Sequence, residues 1–164
     1  MSPRAACRLE TLGFAHVYDY VLGKADWLAH GLPTEGEQAN VPRAKDLLRQ
    51  DVATARLDER VSAIRQRVAH SPYGFALVLA EDGTLLGRLR KAVLEGNPDA
   101  AAQAVMEPGP ATVRPDRQLA DLLEPMRTHN LQAMVVTTPE GRLLGMLRRD
   151  DAERRLAEPV APDR

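Results

Sequence analysis

Few residues of this sequence have the types and spacing that chemistry requires, and the most conspicuous are Asp150 and Asp151 near its C-terminal end. Two adjacent carboxylates can suggest a divalent cation site, but neighbouring residues of a helix point about 100° apart, so this pair alone ligates a metal poorly. The four histidines have no metal-ligand spacing, and no second cysteine accompanies Cys7. The sequence has no Ser/His/Asp pattern, phosphate loop or dinucleotide glycine fingerprint. We therefore predict no catalytic residues, no metal site and no required cofactor.

Composition excludes several other classes of protein. A content of 44% hydrophobic and 27% charged residues is typical of a folded globular chain. The net charge of −1 lacks the basic bias of nucleic-acid-binding domains. No window approaches the ~18 apolar residues of a membrane span, and the first residues have no apolar core of signal-peptide length. With a single cysteine there is no intramolecular disulfide, so we expect a cytoplasmic protein without nucleic-acid or membrane partners.

The segment that leads to the two aspartates occurs twice in the chain. "DGTLLGRLR" at residues 82–90 matches "EGRLLGMLR" at residues 140–148, so that Gly87 meets Gly145 at an offset of 58. The same offset also aligns Ala53 with Ala111, Thr54 with Thr112 and Val78 with Val136. A register kept over this length indicates a duplicated module.

Each copy has the hydrophobic pattern of a β-α-β-β-α unit. In the second copy, Leu119, Leu122, Leu123 and Met126 recur at helical spacing. The apolar runs "AMVVTT" and "LLGML" flank a turn at Gly141 and predict a hairpin. One such unit is too small to stand alone, so we predict an α+β fold in which the two copies pack about a pseudo-twofold axis with a ligand-sized cleft between them.

Stretches rich in proline, glycine and polar residues mark boundaries that divide the chain into six parts. They are an N-terminal segment at 1–36, a linker at 37–51, the first repeat at 52–97, a connector with a short helix at 98–109, the second repeat at 110–157 and a flexible tail at 158–164.

Residues 52–156 resemble a pair of cystathionine-β-synthase (CBS) domains, also called a Bateman module. The resemblance is carried by the two β-α-β-β-α copies and by the segment from Gly145 to Asp151, "GMLRRDD". It implies that the cleft binds an adenosine-containing ligand such as AMP, ADP, ATP or S-adenosylmethionine. Asp151 falls on the family's ribose-binding aspartate, and a carboxylate can accept hydrogen bonds from both hydroxyls of a ribose.

The resemblance assigns further residues to this site. Gly145 opens the motif, Ala133 and Val135 fall where the family packs adenine, and Thr54 matches a position that meets the base. Arg148 stands where the family has Thr or Ser. Its guanidinium can hold a phosphate with two hydrogen bonds or can fill the site itself, and the sequence leaves both alternatives open.

The first repeat has Val93 where the second has Asp151. Because valine cannot bind a ribose diol, we predict one ligand site per chain. We also expect the Asp151 carboxylate to be half exposed in its cleft and to contribute little to folding.

Residues 2–36 resemble the C-terminal end of a rhodanese domain, with a helix, a Gly-Phe turn, a strand at "VYDY" and the segment "GKADWLAHGLP". The part of that family with the nucleophilic cysteine loop has no counterpart here, so Met1 can be an internal start of a longer rhodanese-containing chain. Cys7 lies in the expected helix, where a thiol is usually a small buried hydrophobic group.

Three functions compete on this evidence. The first is a regulatory or sensory module, not an enzyme, that binds an adenine nucleotide at Asp151 and forms a homodimer through the helical faces of the CBS pair. The second is a structural or dimerisation protein with empty clefts. The third, a truncated rhodanese-type sulfurtransferase, lacks its catalytic loop. The sequence does not identify a regulated partner protein.

Overall fold

Two small sheets, one from each repeat, dominate the computed structural model, which describes residues 2–36 and 40–158. Part of the expected linker, residues 37–39, and most of the expected tail, residues 159–164, lie outside the described residues. In chain order the elements are α1 (Ser2–Thr11), α2 (Gly23–Ala29), a 3-10 helix (Ala44–Leu47), β1 (Ala53–Arg56), α3 (Val61–Ala69), β2 (Phe75–Leu79), β3 (Leu85–Arg90), α4 (Lys91–Leu94), α5 (Ala102–Val105), β4 (Glu107–Pro108), β5 (Thr112–Val113), α6 (Leu119–Thr128), β6 (Ala133–Thr137), β7 (Leu143–Arg148) and α7 (Arg149–Ala157).

Both repeats have the predicted β-α-β-β-α order. In the first, β1 runs parallel to β2, and β2 forms an antiparallel hairpin with β3. In the second, β5 is parallel to β6, which forms the matching hairpin with β7. The α+β fold class predicted from the repeat is therefore confirmed.

Alternation along the strands separates the apolar residues into three clusters. Val78 and Val136 face the helices of their own repeats, whereas their neighbours Leu77 and Val135 point to the opposite face of each sheet. Leu77 and Val135 pack together with Val52 and Met146 in a third cluster between the two repeats. The apolar run of each hairpin is thus explained by burial on both faces.

The hairpin turns of the two repeats meet at the pseudo-twofold axis. Thr84 bridges Arg142, its own counterpart at the repeat offset. The Leu85 N–H donates to the Gly141 carbonyl at 2.9 Å, and the Leu143 N–H donates to the Gly83 carbonyl at 3.0 Å. These reciprocal bonds support the predicted pseudo-twofold packing.

The stretch before each repeat adds to the sheet of the other repeat. Arg49 exchanges two 2.9 Å backbone hydrogen bonds with Met146 of β7, and the equivalent β4 pairs with β3. A Cβ at Gly145 would lie 2.8 Å from the Arg49 carbonyl, and one at Gly87 would lie 2.7 Å from the Glu107 carbonyl. The repeated glycines therefore admit a crossing linker, a feature that the sequence did not indicate.

The N-terminal segment differs from its prediction in two respects. Helix α1 forms, but "VYDY" at residues 17–20 is not a strand, because none of the described strands is placed to pair with it. Cys7 is exposed and not buried, because α1 is exposed on nearly all sides. Tyr18 and Val21 are 87% and 88% exposed.

Among the described helices, none is long and apolar enough to cross a bilayer.

Candidate functional site

An apolar cavity of about 240 Å³ lies between the two repeats, against the sheet of the second. The start of β6 forms one wall through Ala133 and Val135, and Thr112 of β5 lies beside them. Phe75 and Arg88 contribute from the first repeat. Ala133 makes this space available because its side chain is small, and β6 positions it by its antiparallel pairing with Arg148.

A second, more polar cavity of about 220 Å³ adjoins the first, and Ala133 belongs to both. Tyr73, Gln132, Arg148 and Asp150 line it. The two cavities together offer an apolar end and a charged end, which suits a ligand with a flat base and an anionic group.

Arg148 forms part of the wall of the polar cavity. Its Nε donates to the Tyr73 hydroxyl at 3.2 Å, and its Nη2 lies 3.1 Å from Asp51 Oδ2. The Tyr73 hydroxyl in turn donates to Asp51 Oδ1 at 2.7 Å, and the guanidinium carbon lies 5.2 Å from the centre of the Tyr73 ring. Burial and the hydrogen bond to Asp51 raise the pKa of Tyr73. Arg148 is thus held by protein groups at the edge of the cavity.

Asp151 lies in the first turn of α7 and is only 6% exposed. Arg49 Nε donates to Oδ2 at 2.9 Å and Arg49 Nη2 donates to Oδ1 at 3.0 Å, while Arg154 also pairs with Oδ1. The hydrogen bonds from Arg49 lower the pKa of Asp151, against the opposing effect of burial. The expectation of a half-exposed carboxylate was wrong, because the crossing linker covers it with Arg49.

The structure brings together three of the predicted site residues. Ala133 and Val135 share the apolar cavity, and Arg148 lines the adjoining polar one. Gly145 serves the linker crossing, since its absent Cβ leaves room for the Arg49 carbonyl. Thr54 belongs to β1 of the first repeat, in register with Leu77, and is not among the residues that line these two cavities.

Comparisons with known proteins agree with this architecture. Residues 102–158 match the family model of the CBS domain. The cytosolic domain of the Mg²⁺ channel MgtE in complex with ATP is similar, with a TM-score of 0.60 and 22% identity over 70% of this chain and 48% of that chain. The chain has the fold of a CBS domain pair.

The solved CBS domains of two other proteins are similar to this chain over almost their whole length. The CBS domains of a transcriptional regulator from Streptococcus pneumoniae have a TM-score of 0.62 and 16% identity over 70% of this chain and 99% of that chain. The CBS domain pair of protein MJ0100, in complex with 5′-methylthioadenosine and S-adenosyl-L-methionine, has a TM-score of 0.56 and 18% identity over 71% of this chain and 96% of that chain. No curated protein matches the sequence.

Several residues around the cleft between the repeats were not predicted from the sequence, and they include Thr112, Phe75, Arg88 and Arg49. Thr112 is the counterpart of Thr54 at the repeat offset and could have been found by applying that offset. Phe75 and Arg88 reach the cavity from the other repeat, and Arg49 comes from the linker. No sequence signal indicated these three contacts, because they depend on how the repeats dock. Within residues 2–36 and 40–158, no cluster of three His, Cys, Asp or Glu side chains could hold a metal ion.

Proposed function

We propose that this CBS pair is a regulatory or sensory module that binds one adenosine-containing ligand per chain in the cleft of the second repeat. The observation that carries the proposal is the apolar cavity at Ala133 and Val135, beside a polar cavity at Arg148 that shares Ala133 as a lining residue. We place adenine in the apolar cavity and an anionic substituent beside Arg148 in the polar one. Asp151 lines neither cavity and lies under the side chain of Arg49. The role is binding and not catalysis.

Structurally similar proteins support this assignment through their ligands. The MgtE domain is in complex with ATP, and the MJ0100 pair is in complex with 5′-methylthioadenosine and S-adenosyl-L-methionine. In the present chain we assign the base to Ala133, Val135 and Thr112, the ribose to Asp151 and a phosphate or other anion to Arg148. Gly145 supports the site through the linker, and Thr112 takes the role expected of Thr54.

The first repeat supplies a test, because it carries Phe75 at the position of Ala133. A ligand at 100 times its dissociation constant stabilises the native state by about 2.7 kcal/mol. For a chain of this size that raises the melting temperature by roughly 5–11 °C. We expect such a shift with at least one of AMP, ADP, ATP and S-adenosylmethionine, and we expect Ala133→Phe to abolish it by filling the cavity.

Arg60→Gln is the matched control, because Arg60 pairs with exposed Asp99 and lines neither cavity. This variant should keep the full ligand shift. Melting curves that none of the four compounds moves at millimolar concentration would contradict the proposal, as would a shift that survives Ala133→Phe.

One observation favours the alternative of a structural pair with empty clefts. Both oxygens of Asp151 are already bonded to Arg49, so the protein satisfies its own ribose-binding carboxylate. On this alternative the ion pair serves to fix the linker on the second repeat, and no adenosine compound binds.

The proposal also covers the wider setting of the chain. We propose a homodimer through the helical faces, with a regulated partner protein still to be named, and light scattering should give twice the chain mass of 18.0 kDa. The single cysteine supports a cytoplasmic setting. Residues 1–36 are proposed, from their sequence resemblance, as a rhodanese-like remnant without sulfurtransferase activity.

A further inference from the structure

The ribose-binding carboxylate of the proposed site is engaged by the protein itself. Arg49 approaches Asp151 with two nitrogens, at 2.9 and 3.0 Å, and so occupies the edge where both carboxylate oxygens can be reached at once. A ribose diol needs that same edge to bond with both oxygens. The diol can therefore bond with both oxygens only after Arg49 has left, and it shares Oδ1 with Arg154, which pairs with that oxygen too.

Arg49 can leave without any change in the fold. Its backbone is fixed by the two hydrogen bonds to Met146, whereas its side chain is 48% exposed and can rotate toward solvent. The displaced guanidinium then needs another anion. Asp51, a carboxylate whose charge acts on Arg49, already pairs with Arg148 and accepts from Tyr73, and Arg148 repels a second guanidinium.

A phosphate on the ligand would supply the missing anion. We propose that the site selects phosphorylated adenosine compounds by an exchange of partners. The ribose replaces Arg49 on Asp151, and Arg49 moves with Arg148 onto the phosphate. An uncharged compound such as adenosine or 5′-methylthioadenosine displaces Arg49 and leaves it without an anion. This inference rests on the proposed function, because it presupposes that the cleft binds adenosine compounds.

Isothermal titration of AMP, ADP, adenosine and 5′-methylthioadenosine tests the exchange. In the unaltered protein, the phosphorylated compounds should bind at least about tenfold more tightly than the uncharged ones, as expected for one charge-assisted contact. Arg49→Gln should reduce the difference between the two affinities, because adenosine should bind more tightly and AMP more weakly. Arg49→Lys keeps the positive charge but cannot form the bidentate contact of a guanidinium. This variant should therefore retain part of the preference for AMP.

Arg60→Gln again serves as the control and should leave every affinity unchanged. Equal binding of AMP and adenosine by the unaltered protein, or an unchanged preference in both folded Arg49 variants, would refute the exchange while leaving the binding function intact. Failure of all four compounds to bind the unaltered protein and both Arg49 variants would contradict the proposed function itself, and the exchange with it.

Discussion

The clefts of the two repeats have different chemistry on the same backbone. In the second repeat, Ala133 leaves a cavity open, and Arg49 of the crossing linker meets Asp151 on α7. In the first repeat, Phe75 stands in place of Ala133, and Val93 stands in place of Asp151 and packs against the first apolar core. One cleft is thus polar at the start of its last helix, and the other is apolar there.

The linker before the first repeat and the connector before the second carry opposite charges at matched positions. Glu107 is the counterpart of Arg49, and it pairs with Arg90 at 2.9 Å and with Arg88 at 3.5 Å. The linker thus supplies a cation, Arg49, to the second repeat, whereas the connector supplies an anion, Glu107, to the first. The comparison teaches that the duplicated backbone determines where each linker pairs with a sheet. A few side chains, such as Ala133 or Phe75, then determine whether a cavity lies next to that strand.

The largest effect is expected where the repeats are alike. Leu89 and Leu147 occupy matched positions, and both are fully buried. Leu89→Ala and Leu147→Ala should each lower the free energy of unfolding by about 2–5 kcal/mol through the cavity that they leave. Chemical denaturation of the two variants measures this. If the two losses of unfolding free energy differ by more than about 1.5 kcal/mol, the two cores are not equivalent.

Alanine at the two repeated glycines should reveal the crossing of the linkers. We expect Gly87→Ala and Gly145→Ala to destabilise the fold by about 1–3 kcal/mol each, because the new Cβ would meet a linker carbonyl. Gly145 should cost more, since its φ of +145° is unfavourable for alanine, and since one near atom at Gly87 is the flexible Met106 sulfur. Thermal melts provide the measurement.

Gly109→Ala is the control for these two variants. The nearest backbone atom to a Cβ at Gly109 is 3.6 Å away, which is an ordinary contact. Its effect should stay within about 0.5 kcal/mol. If Gly145→Ala is as mild as this control, the linker does not cross there in solution.

A smaller effect is expected from the charge that distinguishes the two clefts. Asp151→Asn should cost about 1–2 kcal/mol at neutral pH, because it weakens the contact with Arg49. The pKa of Asp151 is lower in the folded state, so its stabilisation is complete above the ordinary aspartate value and is lost as the pH falls. Melting temperatures of the variant and the unaltered protein should therefore begin to converge only as the pH falls below about 4. A difference that persists unchanged at pH 3 would contradict this account.

The sequence predicted the elements well because each repeat has a strong local pattern. The spacing of Leu119, Leu122 and Met126 indicated α6, and the runs around Gly141 indicated the β6–β7 hairpin. The prediction of a strand at residues 17–20 was wrong because strand formation depends on a partner strand as well as on composition.

The candidate site was predictable only where it is local to one repeat. Ala133 and Val135 line the same cavity because they lie on one strand, and their contact with adenine stays a prediction. The engagement of Asp151 by Arg49 could not be predicted, since it joins residues that are 102 positions apart. Nothing in the linker sequence distinguishes Arg49 from an ordinary exposed arginine.

That separation also bears on how the chain folds. Each hairpin can close early, because its strands are near neighbours in sequence, but the Arg49–Asp151 contact must wait until the ends of a long loop are brought together. The contact is therefore expected to be absent from the transition state for folding. Loss of the Arg49 side chain should accelerate unfolding and leave the folding rate nearly unchanged, so that the ion pair adds to the lifetime of the folded state.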